Sequence, residues 1–147
     1  MNKKEFSKQG KKNRGIGARF ELKVRAELEN MGWIVSKWMN TVDYDKEGKI
    51  GKLTSAKRKF NPFFKSLSIG VGFPDFIAFK KNEDNYEIIG VEAKSGGYLD
   101  KIEKGMCCWL LEKKIFSRIL IAKRSKERGK IDYVDFTEKY GLERNKA

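Results

Sequence analysis

The stretch Gly72-Phe73-Pro74-Asp75-Phe76-Ile77-Ala78-Phe79 is followed, one polar turn later, by Ile88-Ile89-Gly90-Val91-Glu92-Ala93-Lys94. Each is an apolar run of strand length, rich in β-branched and aromatic residues, and Lys81-Asn82-Glu83-Asp84-Asn85 between them is turn chemistry. The pattern predicts strands over residues 75–80 and 86–94, joined as a hairpin. Side chains alternate along a strand, so Glu92 and Lys94 share one face while Ile89, Val91 and Ala93 share the other. Asp75 opens the adjacent strand, within reach of Glu92. One strand end thus gathers two carboxylates and an ammonium. With the Ala93 backbone carbonyl they make a set of hard oxygen donors of the kind Mg²⁺ accepts, with positions left for water and phosphate oxygens. A metal there would stabilise charge on a phosphate and acidify a bound water, with Lys94 orienting that water or steadying the negative charge. The alternative is a plain salt bridge at a strand end. Glu-x-Lys by itself decides nothing, since Glu21-Leu22-Lys23 and Glu112-Lys113-Lys114 also satisfy it.

Upstream, residues 15–31 carry Phe20, Val24, Leu28 and Met31 at helical spacing, and Gly32 stands where a left-handed C-terminal cap belongs. Residues 33–38 read as the first strand. Glu21 lies near the apolar stripe of that helix, and an inward carboxylate needs a partner. Two partners present themselves: a metal-bound cluster with Asp75 and Glu92, or a salt bridge to Arg25 or a neighbouring lysine. Residues 1–14 read as a Lys-rich, core-poor arm, mobile until it meets phosphate, and 141–147 as a tail. Between them, 15–140 form one domain interrupted by a polar insertion over 40–65. Its run Lys57-Arg58-Lys59-Phe60-Asn61-Pro62-Phe63-Phe64 either contacts phosphate and stacks on unpaired bases or uses its aromatics to anchor the loop. Downstream, Asp100 and Glu103 form a capping-box start to a helix with Ile102, Met106, Trp109 and Leu110 on one face. Strands over 117–122 and 131–136 follow, with a basic loop between them. The fold class is α/β: a single mixed β-sheet flanked by helices in the order α-β-β-β-α-β-β.

Composition narrows the chemistry. At 147 residues the chain suits one domain, and 36% charged with 39% apolar residues is polar but globular. A net charge of +13 and a pI near 9.7 point to a polyanionic partner, the alternative being a surface that is merely soluble. No apolar run approaches the ~20 residues a membrane span needs, and no apolar signal core opens the chain, so an intracellular protein is expected. Cys107 and Cys108, adjacent in an apolar run, read as small core residues in a reducing compartment. There is no histidine. His-based zinc sites, Ser-His-Asp triads and His bases are therefore excluded, leaving carboxylates, Lys, Tyr or a hard metal.

Pro74-Asp75, Glu92-Ala93-Lys94 and Glu21 on the leading helix resemble the PD-(D/E)xK nuclease superfamily. Within it the order Gly17, Glu21, Gly32-Trp33, with Lys94-Ser95 and the helix from Asp100, is most similar to archaeal-type Holliday junction resolvases. The likeness spans roughly residues 15–122. It implies a restriction-endonuclease-like core and a homodimer that binds four-way or otherwise branched DNA and makes paired Mg²⁺-dependent nicks, with Mn²⁺ substituting. By the same resemblance Glu21, Asp75 and Glu92 are metal ligands with the Ala93 carbonyl, and Lys94 is the catalytic lysine. Ser66 and Ser68 are candidates for a serine that assists ahead of the aspartate, and DNA contacts are expected at Lys11, Lys12, Arg14, Arg19, Lys57, Arg58, Lys59 and Phe60. The insertion is longer than these resolvases usually carry. Gly72-Phe73-Pro74-Asp75 also resembles the virus-type replication-repair nuclease domain, which places a glutamine in the following helix, where Lys104 or Met106 stands here. The other readings are a repair or restriction-like nuclease acting on flaps, ends or duplex sites, and a non-catalytic basic nucleic-acid-binding protein.

Overall fold

Phe20, Val24 and Leu28 recur at every fourth position, and all three are buried. In the computed structural model, which describes residues 3–56, 58–61, 66–69 and 72–139, they form the inner stripe of a helix, α1 (Lys3–Asn30). Gly32, at φ 95°, ends it in a Schellman motif: its N–H donates to the Glu29 carbonyl (3.0 Å) and the Trp33 N–H reaches back to Leu28 (3.0 Å). Two expectations change here. The helix starts at Lys3, not Gly15, so residues 3–14 of the stretch expected to be a mobile arm are helical. Their Lys, Glu and Gln are good helix formers, and the interspersed glycines weaken a helix without forbidding it. Met31 falls past the last turn and is exposed.

The strands follow as β1 (Ile34–Lys37), β2 (Asn40–Tyr44), β3 (Ile50–Ser55), β4 (Arg58–Asn61), β5 (Ser66–Ile69), β6 (Phe76–Asn82) and β7 (Asn85–Ala93). A second helix, α2 (Lys101–Glu112), leads to β8 (Arg118–Arg124) and β9 (Ile131–Asp135). Five of these strands form one mixed sheet in the order β1-β6-β7-β8-β9. Its pairs are antiparallel except β7 with β8, which run parallel because α2 carries the chain back across the sheet. The expected core order is therefore present, but the sheet is not single. The insertion read as a loop folds into two antiparallel hairpins, β2–β3 and β4–β5. Alternating Thr, Val, Tyr, Ile and Leu between the lysines permits pairing there, a signal that the polar composition hid.

The sheet is covered on both faces. Phe20, Val24 and Leu28 of α1 pack on Val35, Ala78, Ile89, Val91 and Ala122, while Met106, Cys107 and Leu110 of α2 pack with Ile119, Ile121, Phe116 and Phe73. Cys107 is buried, Cys108 is half-buried, and both thiols are free. Two glycines mark where backbones crowd. A Cβ on Gly72 would stand 2.0 Å from the Trp38 carbonyl oxygen, and one on Gly90 would stand 2.8 Å from the Pro74 ring and 3.1 Å from Phe116. Pro74, in a cis peptide with Phe73, thus sits in a notch that only glycine leaves open on β7. Among the described residues no helix is long and apolar enough to cross a membrane.

Candidate active site

The register decides which carboxylates meet. Phe76 pairs with Val91, so the next cross-strand position sets Asp75 against Glu92. The approach to Asp75 is clamped to the end of β1: the Phe73 N–H donates to the Asn40 carbonyl (2.8 Å), and the Asp75 carbonyl accepts from the Trp38 N–H (3.0 Å). Asp75 Oδ2 in turn accepts from the Ala93 N–H at 2.8 Å. Glu92 lies on the α2 side, beside Ile121, and is the only buried charged residue among those described, 5% exposed. Its Oε2 has no hydrogen-bond partner. Burial first, then the contact with Asp75 and its charge, push the Glu92 carboxyl up to about 11, against 4.5 ordinarily. At neutral pH Glu92 is therefore held in its protonated form.

A cleft of about 430 Å³ opens over this pair. Its walls include Glu21, Asp75, Glu92, Ala93 and Lys94, every residue expected at the centre. Glu21 is half-buried, and its pKa is raised by burial and then by the nearby Asp75, with Lys37 opposing. Of the competing partners, Arg25 is engaged with Glu29 (2.9 Å) and the Val35 carbonyl (3.0 Å), while Lys37 stands near enough for its charge to act on Glu21. Ala93 also donates its N–H to Asp75, which ties the strand end to the carboxylate. Among the described residues no group of three or more His, Cys, Asp or Glu side chains is arranged to hold a metal ion. The donors that stand together are Asp75 and Glu92, with Glu21 farther along the wall. A buried carboxylate oxygen without a partner, next to a second carboxylate, is a donor pair that fits a hard cation.

Glu103 was read only as a cap, and the structure gives it a second task. Its N–H donates to Asp100 Oδ1 (2.8 Å) and its Oε1 accepts from the Asp100 N–H (3.0 Å), completing the capping box. Its other oxygen pairs with Lys94 Nζ at 2.7 Å, inside the cleft. Burial lowers the Lys94 pKa, but the bond to Glu103 and the surrounding carboxylates outweigh it, and the net shift is upward. The signal was available: Glu103 stands one turn before buried Met106, an acid on the apolar side of its helix, the same anomaly that marked Glu21. Thr41 and Tyr44 of β2 also line the cleft and were not anticipated.

The expected DNA contacts scatter. Lys11 and Lys12 are exposed on the first half of α1, and Arg19 lines a separate basic pocket. Lys57 lies outside the described residues, as do the side chains of Arg14, Arg58, Lys59, Phe60, Ser66 and Ser68. No protein-family model, curated protein or solved structure matches the chain.

Proposed function

We propose that the protein is a metal-dependent DNA endonuclease of the PD-(D/E)xK kind, acting as a homodimer that makes paired nicks in four-way or otherwise branched DNA. The observation that carries this reading is the convergence of Glu21, Asp75, Glu92 and Lys94 on one cleft of a chain with net charge +13. A protein that only binds nucleic acid gains nothing from three carboxylates in a cleft, because each repels phosphate. The α-β-β-β-α-β-β order of the core elements supports a restriction-endonuclease-like core, since it is the order the resemblance implies.

Asp75 and Glu92 would hold Mg²⁺, or Mn²⁺ in its place, with Glu21 close by. Once bound, the cation supplies charge for the phosphate oxygens and acidity for a water. The chain's own contributions are orientation and charge. Asp75 is fixed by the Ala93 N–H before substrate arrives, so little ordering is left for the reaction. Lys94, held by Glu103 and kept protonated, serves as a fixed cation for developing negative charge and not as a base. Glu103 is a positioning residue acting through Lys94.

The test compares four-way junction, flap, nicked and linear duplex DNA, with Mg²⁺ and with EDTA, for the native chain and Asp75→Asn. Symmetric paired nicks at the junction, lost in EDTA and reduced at least ~100-fold by the substitution while binding persists, are expected. Undiminished cutting by Asp75→Asn would overturn the site, and binding without any cutting would leave a basic nucleic-acid-binding protein. A second reading, a replication-repair or restriction-like nuclease, draws on the β2–β3 hairpin, whose Thr41 and Tyr44 form a wall that a branch point must clear. Cutting confined to flaps, ends or duplex sites would select it.

A further inference from the structure

A second concavity lies across α1 from the cleft. Arg19 and Lys23, one turn apart on α1, meet Arg124 at the end of β8 and Arg128 and Lys130 from the turn before β9, around a pocket of about 380 Å³. The sequence marks Arg19 and a basic loop over 123–130 separately, and only the fold brings them together around Lys23. Helical geometry places Glu21 about 180° around α1 from the midpoint of Arg19 and Lys23, so one flank of the helix serves the cleft and the other the pocket.

The pocket is built, not a chance cluster on a mobile tip. Lys23 Nζ donates to the Gly129 carbonyl at 2.7 Å and ties the turn to α1. The turn closes on itself through Ser125 N–H to the Lys130 carbonyl (3.1 Å) and Lys130 N–H to the Glu127 carbonyl (3.2 Å). The Arg124 guanidinium lies 5.9 Å from the centre of the Phe20 ring, an arrangement that restricts it. Its charge is largely uncompensated. Lys130 pairs with Glu127, but among the described residues Arg19, Arg124 and Arg128 have no carboxylate partner. Guanidiniums brought together without counter-charge repel one another, and an anion that accepts several N–H donors relieves the repulsion.

The ligand follows from position. The Lys94 N–H donates to the Ala122 carbonyl (2.9 Å) and the Arg124 N–H to the Ser95 carbonyl (3.1 Å), so the strand ends that carry cleft and pocket are bonded to each other. A helix with its side chains is ~10–12 Å across, so a DNA strand passing from cleft to pocket spans a few phosphates. We infer that this pocket seats a backbone phosphate of the DNA whose neighbouring segment lies in the cleft, an inference that rests on the nuclease reading. It acts as a second anchor, fixing the direction in which DNA leaves the reacting centre.

The test uses the full chain carrying Arg19→Gln with Arg128→Gln, both exposed, against Lys81→Gln with Lys113→Gln, exposed at the opposite end of the sheet. Affinity for labelled duplex and junction DNA is read in EDTA across a salt series. The pocket pair is expected to weaken binding about tenfold and lower the log–log salt slope by about 1, the control pair by less than half as much. A pocket pair that matches the native chain or the control overturns the pocket while leaving the cleft's reading intact. Intact binding losses alongside unchanged cutting by Asp75→Asn would sink the cleft and keep the pocket as a DNA site. No DNA binding by the native chain overturns both. Displacement of DNA by inorganic phosphate at matched ionic strength, seen with the native chain and lost with the pocket pair, would reassign the pocket to free phosphate and overturn the proposal.

Discussion

Glu92 carries the sharpest consequence of a single position. A carboxyl raised from 4.5 to about 11 is protonated in the folded chain at neutral pH and ionised in the unfolded one. Its contribution to stability is therefore complete below about pH 4.5 and declines as pH rises toward the folded value. Glu92→Gln, neutral throughout, should remove that decline. In EDTA the variant is expected to be more stable than the native chain by about 1–3 kcal/mol near pH 8 and nearly equal near pH 4.5, as read by thermal melts. Added Mg²⁺ should raise the native melting temperature and leave the variant's unchanged; a cation that stabilises neither would count against a metal on this pair.

At the scale of elements, the hairpin β6–β7 holds the site and a glycine holds the hairpin. Gly90 leaves room for Pro74 and Phe116, and Pro74 immediately precedes Asp75. Gly90→Ala presses a methyl into a proline ring and an aromatic ring, which is expected to cost about 1–3 kcal/mol in urea unfolding. Because the displaced group adjoins Asp75, cutting should fall as well, even under conditions where the variant is fully folded. An unchanged midpoint would mean the notch repacks at no cost. The strand pair was legible because its apolar runs, turn residues and alternation are local. The inserted hairpins were not, since short strands among lysines look like loop until a partner strand satisfies their backbone. The arm was misread for a related reason: with no apolar stripe to bury, nothing in residues 3–14 announced a helix except propensity.

Across the whole molecule the charge is lopsided in use. The first half of α1 bears Lys3, Lys4, Lys8, Lys11 and Lys12, all exposed, on the same helix that borders cleft and pocket. Removing residues up to Lys12 should leave the melting temperature nearly unchanged, because Phe20, Val24 and Leu28 supply the packing of α1. It should nevertheless weaken DNA binding in a salt-dependent way, lowering the slope by up to about 4.5 if each of the five released lysines met a phosphate. A slope equal to that of the full chain would mean this half of the helix never touches the backbone.

The sequence alone determined the hairpin that carries Asp75 and Glu92, the buried stripe and glycine cap of α1, the capping box of α2, the chain's own net positive charge and the absence of histidine chemistry. These rest on periodicity, turn chemistry and composition, each encoded within a few residues or in the chain's totals. Only the tertiary structure decided that Glu21 lines the same cleft as Asp75 and Glu92 while Arg25 turns elsewhere, that Glu103 keeps its cap and also holds Lys94, and that five cations from α1, the end of β8 and the β8–β9 turn surround one pocket. Those meetings depend on strand register and on which face of the sheet each helix covers. Neither is written in any local window, because both are set by the burial of apolar surface far along the chain.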